Sequence, residues 1–176
     1  VGRAAAAGDG AVDVSKALPA ELDERPLAQQ SRMLAADGSL IANFYWQNRK
    51  EVEFEDISQE MKDATVAVED YRFYEHSGVD LQGIARAVVH NLLSDSTQGG
   101  STLTQQYVKN VLAENAHAEE DKEGVEAAKE SDGASGYARK LREAKLALAV
   151  ENKYGKDEIL HRYLNINNYS GSPNVY

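Results

Sequence analysis

The sequence has no cysteine, which excludes disulfide staples, thiol nucleophiles and zinc–thiolate sites. Only three prolines occur in 176 residues, so long uninterrupted helices are allowed. No apolar run approaches the ~20 residues of a membrane-spanning helix; the longest aliphatic stretch runs only from Leu146 to Val150. No signal-peptide pattern is visible either, since no charged segment leads into an apolar one. Val1 is not an initiator methionine, and an anchor upstream of it is expected. Positive charge is scarce: the net charge of −10 argues against nucleic acid as a partner.

What is present suits one globular domain, with 42% hydrophobic and 27% charged residues. Residues 1–30 are Ala/Gly-rich and then polar, and read as a linker. Arg32–Leu34 and Leu40–Trp46 flank Asp37-Gly38 and predict a hairpin. Met61, Ala64, Thr65 and Val68 follow helical spacing behind Asp56 or Ser58 as cap. Leu81, Ile84, Ala85, Val88, Val89 and Leu92 repeat the pattern behind Asp80. Further helices are expected over 102–112, over 137–154 and, capped by Asp157, around Ile159–Leu164. Between them, 113–136 carries eight acidic and two basic residues, a net −6; it predicts a flexible insert that buries little apolar surface. The fold class is mainly α with one small N-terminal β-hairpin.

Three patches concentrate polar residues. The first, Glu69 to Gly78, joins two helices; Glu69 follows Val66-Ala67-Val68, and desolvation there makes a carboxylate a better base. The bland reading is a solvated helix end. The second, Gln98 to Asn110, runs from Gly99-Gly100 into a helix whose start suits an anion. Gln106, Lys109 and Asn110 share one face of it; a capped helix with a polar face explains the pattern equally well. In the third, Arg139, Lys140 and Glu143 form either surface ion pairs or a cationic clamp for phosphate beside a carboxylate. The four histidines, His76, His90, His117 and His161, lack zinc-ligand spacing, and no Gly-x-Ser-x-Gly elbow is present.

In order and spacing the patches resemble glycosyltransferase family 51, the transglycosylase domain of class A penicillin-binding proteins. Glu69-Asp70-x-x-Phe73-x-x-His76-x-Gly78 is similar to its first motif. Gly99-Gly100-Ser101-Thr102-Leu103-Thr104-Gln105-Gln106, followed by Lys109-Asn110, is similar to its second. Arg139-Lys140-x-x-Glu143 is similar to its third, and Lys156-Asp157-Glu158-Ile159-Leu160-x-x-Tyr163-Leu164-Asn165 to its fourth. The likeness covers residues 31–176. Three features depart from the family pattern: Tyr71 stands where a basic residue is usual, Tyr107 where leucine is common, and 113–136 is a long acidic insert. The chain also stops before a fifth motif. Its absence is expected to uncover apolar faces of the 81–93 and 137–154 helices and to leave the segment weakly active or inactive.

The resemblance implies a lysozyme-like helical fold that polymerises lipid II onto a growing glycan, with inversion and release of lipid pyrophosphate. It implies Glu69 as base, Lys109, Arg139 and Lys140 as cations for the pyrophosphate, and Glu143 as the second catalytic carboxylate. Glu143 would orient the cations or help hold a divalent Mg2+ or Mn2+. Asp70, Phe73, His76, Ser101, Thr102, Gln106 and Asn110 would serve substrate binding. It further implies the extracytoplasmic face of the bacterial membrane, an N-terminal anchor and a transpeptidase domain C-terminally. A lytic transglycosylase or muramidase-like hydrolase, and a non-catalytic lipid II-binding fragment, are the alternatives.

Overall fold

Turn and cap chemistry sets most of the element boundaries. In the computed structural model, the residues described are 19–45, 47–94, 99–129 and 133–169. Readings that fell on residues 1–18, Trp46, 95–98, 130–132 and 170–176 lie outside them. The domain is mainly α with one hairpin, as the sequence predicts.

Strand β1 (Ser31–Leu34) pairs antiparallel with β2 (Leu40–Phe44), Ser31 facing Phe44 and Met33 facing Ala42. Gly38 takes φ +84° in the connecting turn, which Asp37 braces by accepting from the Ser39 N–H at 2.9 Å. Below the hairpin, Arg49 is buried. It donates to the Asn165 carbonyl at 2.5 Å and to Gln47 Oε1 at 2.8 Å. Gln47 in turn donates to Glu114, so this polar cluster ties the hairpin's foot to two distant helices.

Helix α1 (Gln59–Glu69) starts at Ser58, whose hydroxyl accepts from the Met61 N–H at 3.2 Å. The other cap candidate, Asp56, lies in a short 3-10 turn at Phe54–Asp56. Helix α2 (Leu81–Leu93) starts at Asp80, which accepts from the Gln82 N–H. Its apolar stripe is uncovered: Leu81, Leu92 and Leu93 are all more than three-quarters exposed.

Helix α3 (Leu103–Ala118) is the axis of the domain. Thr102 and Gln105 form a reciprocal capping box at its start. Leu103, Tyr107, Val108 and Val111 turn inward along it. It packs against α4 (Lys122–Lys129), α5 (Gly133–Lys153) and α6 (Lys156–Ile166). With Phe73, Leu146, Val150, Ile159 and Leu160, all at most 2% exposed, these residues make one continuous core.

Four expectations need correction. Residues 19–30 are packed rather than a free linker: Leu22 enters the core and Leu27 packs against it. The acidic stretch does bury apolar surface. Helix α3 runs six residues past the expected end, Asp121 Oδ1 accepts from the Gly124 N–H at the start of α4, and Ala116 and Val125 are buried. Two apolar side chains suffice there because the carboxylates can stay in water. Asp157 does not cap α6; Gly155 holds the cap position and Asp157 lies in the first turn. Finally, among its described side chains α5 buries Leu146, Ala147 and Val150 and leaves Leu141 and Leu148 about half exposed. Among the described residues no helix is long and apolar enough to cross a membrane.

Candidate functional site

The corner between α1 and α3 is fixed by Asp70. Its Oδ2 accepts from the Leu103 N–H at 3.0 Å and from His76 Nε2 at 2.8 Å. The first of these satisfies a backbone donor that the helix leaves open and places negative charge at its positive end. Thr102 closes the other side, donating to the Gly78 carbonyl at 2.6 Å. Gly78 must be glycine on two counts. Its φ is +80°, and a Cβ there would sit 2.9 Å from the Ala147 carbonyl. Phe73 is wholly buried between Tyr74, His76 and the Lys156 ammonium.

Phe73 is buried and the His76 side chain nearly so, and both pack at the corner. Asp70 and Thr102 line a cleft, where Asp70 Oδ2 and the Thr102 hydroxyl bond the protein.

That cleft has a volume of about 280 Å³ and is walled by Glu69, Arg86, Gly100, Ser101 and Gln106 among others. Glu69 is exposed in it. The desolvation expected from the preceding apolar run is absent, because Ala67 and Val68 are themselves exposed. Instead the carboxylate is oriented: Glu69 Oε2 accepts from Gln106 Nε2 at 2.9 Å, and Gln106 Oε1 accepts from the Tyr163 hydroxyl at 3.2 Å. Burial pushes the Tyr163 hydroxyl pKa up, which keeps it a donor. At the cleft's edge burial pushes the Asp80 carboxyl up. The Gly83 and Gln82 N–H groups and nearby Arg72 and His76 outweigh this and hold it below the usual range.

Two contributors to this cleft escaped the sequence reading. Arg86 bonds the Tyr71 hydroxyl and lies 4.8 Å over its ring. It therefore brings a cation to the position where Tyr71 departs from the family pattern. The signal was the polar face of α2, where Arg86 follows Gly83 by three residues. Tyr163, placed in the fourth motif but given no role, orients Gln106.

A second cavity, of about 580 Å³, lies between α3, α5 and residues 19–25, and Lys109, Arg139 and Glu143 line it. Glu143 is 1% exposed. Arg139 bonds its Oε1, and Lys140 Nζ lies 3.2 Å from Oε2 as an ion pair without hydrogen-bond geometry. Burying a carboxylate this far costs least where cations face it. Lys140 also donates to Ser101 Oγ at 2.7 Å, so one side chain joins the two cavities. Lys109 is exposed one turn along α3 from Gln106. Asn110 belongs to neither cavity, since its amide donates to Asn167 Oδ1 at 2.5 Å.

The arrangement does not fit a protein-held divalent ion. Both Glu143 oxygens face cations already, and among the described residues no cluster of three or more His, Asp or Glu side chains could hold a metal.

A family model described as Transglycosylase matches residues 37–176. The chain is 39% identical over 140 residues to penicillin-binding protein 1A of Mycobacterium tuberculosis, covering 78% of this chain and 15% of that protein. It is 34% identical over 147 residues to penicillin-binding protein 1F of Bacillus subtilis, covering 82% and 18%. It is 36% identical over 132 residues to penicillin-binding protein 1A of Neisseria flavescens, covering 74% and 14%. The chain thus spans less than a fifth of the length of these relatives.

Proposed function

The chain belongs to the transglycosylase family, and from that premise we propose that it extends peptidoglycan strands from lipid II. The acceptor's 4-hydroxyl attacks the donor's anomeric carbon and gives its proton to Glu69. A carbon–oxygen bond forms on one face as the bond to lipid pyrophosphate breaks on the other, with inversion. Lys109, Arg139 and Lys140 take up the charge that develops on the leaving group. Glu143 holds Arg139 and Lys140 in place, and Ser101 and Gln106 contact sugar and phosphate oxygens.

One observation carries this reading. The accessible Glu69 carboxylate, oriented by Gln106, shares its cleft with Ser101, and Ser101 accepts from Lys140, which pairs with Glu143 of the cation cavity. A glycan hydrolase needs an acid and a base but has no pyrophosphate to neutralise. The whole protein, on this reading, is anchored in the cytoplasmic membrane, works on its outer face and carries a transpeptidase domain.

The test is polymerisation of lipid II by the chain and by its Glu69→Gln variant. The variant is expected to lose roughly 10²–10⁴-fold in rate with an unchanged circular dichroism spectrum. Near-full activity removes Glu69 from the base role, and strand cleavage in place of growth overturns the reaction class.

A further inference from the structure

Tyr107 departs from the family pattern, and its hydroxyl has a specific partner. It is 3% exposed on α3, between Gln106 and Lys109. Its hydroxyl donates to Glu24 Oε1 at 2.6 Å. The other oxygen of Glu24 accepts from the Tyr154 hydroxyl at 2.7 Å and from Lys153 Nζ at 2.9 Å. One carboxylate therefore fastens the N-terminal segment to α3 and to the end of α5. Around it, Leu22 enters the core and Asn115 donates to the Asp23 carbonyl at 2.6 Å. The segment so pinned, from Pro19 to Arg25, is one wall of the cavity that holds Lys109, Arg139 and Glu143.

We infer that Tyr107 and Glu24 are positioning residues whose hydrogen bond holds residues 19–25 as a wall of the cation cavity, and so set its affinity for a pyrophosphate-bearing ligand. The inference rests on the function proposed above. The physical link is solvent: cations attract phosphate more strongly where water is excluded, and a wall that lifts admits water. Leucine at 107 would fill the space but give Glu24 nothing on α3.

The experiment compares Tyr107→Phe, Glu24→Gln and the double variant in detergent. It reads amide exchange over residues 20–27, binding of a lipid-linked pyrophosphate, and kcat and KM for polymerisation. Each single variant is expected to speed exchange in the segment and to weaken binding and raise KM about five- to tenfold. The kcat should stay within about twofold, and the double variant should be no worse than Glu24→Gln alone, since both changes act on the same Tyr107–Glu24 bond. Tyr107→Phe keeps the ring, so its fold serves as the control. Unchanged exchange, or an unchanged or lowered KM, overturns the inference. A parent chain that binds the pyrophosphate lipid without polymerising it refutes the activity instead, and the exchange and binding measurements still decide the latch.

Discussion

Replacing Glu143 with glutamine removes the charge at the centre of the clamp and leaves its shape. The Arg139 side chain is only 13% exposed and that of Lys140 46%. The change thus deprives one largely desolvated cation and one half-exposed cation of their carboxylate. For the desolvated partner the cost is about 3 kcal/mol; for the exposed one it is no more than about 0.5 kcal/mol. Glutamine keeps an acceptor for Arg139 and offsets about 1 kcal/mol. A net loss of about 2–3 kcal/mol corresponds to a fall in melting temperature of roughly 5–10 °C for a domain this size. Thermal unfolding followed by circular dichroism measures it directly. Adding Arg139→Gln should recover part of the loss, because no guanidinium then faces the uncharged side chain at 143. A Glu143→Gln protein that melts within about 2 °C of the parent would refute the assignment of this carboxylate as the counter-charge of the clamp.

Arg139→Lys keeps the charge but loses the planar fork; binding of a pyrophosphate-containing substrate analogue, followed by titration, should weaken clearly. Gly78→Ala forces a side chain into a positive-φ site against the α5 backbone and should destabilise by about 3 kcal/mol or more in urea titration. The pH dependence of stability has a definite sign. Burial pushes the Glu24 carboxyl up, and hydrogen bonds from Tyr107, Tyr154 and Lys153 more than offset it, leaving its pKa lowered; Asp80 is lowered as well. Both therefore contribute stability that is complete above the ordinary carboxyl pKa of about 4 and is lost as pH falls through their depressed values. Melting temperatures taken from pH 7 downward should drop less steeply for Glu24→Gln than for the parent.

Local chemistry was legible where one residue decides it. Ser58 and Asp80 start their helices because their oxygens reach backbone donors two or three residues on, a relation written in the sequence. The composition of the site was legible in the same way, since its residues cluster in short motifs. What the motifs do not carry is direction. Glu69 and Asp70 are neighbours, yet the last turn of α1 sends one into a cleft and the other under the start of α3. Bonds to partners elsewhere in the chain hold each one: Gln106 on Glu69, and Leu103 and His76 on Asp70. The wall at residues 19–25 was hidden because its hold is long-range: Glu24 reaches partners 83 and 130 residues away. Helix α4 was hidden because acidic composition outweighed a single apolar contact in the reading, though not in the fold.

Gln106 and Lys109 sit on the same helix, and that makes α3 a ruler. The separation between the residue that orients Glu69 and the first cation is three helical steps, about 4.5 Å of axial rise. No loop can stretch it. A single inserted residue between them would swing Lys109 by about 100° and turn it off the shared face. Evolution or a designer who wished to accept a bulkier or shorter donor would therefore have to adjust the side of the cavity that belongs to α5. The chain offers a joint for that purpose in the turn between α3 and α4, where Glu120 already adopts φ +55°. Length can change there while the graduations of the ruler stay fixed.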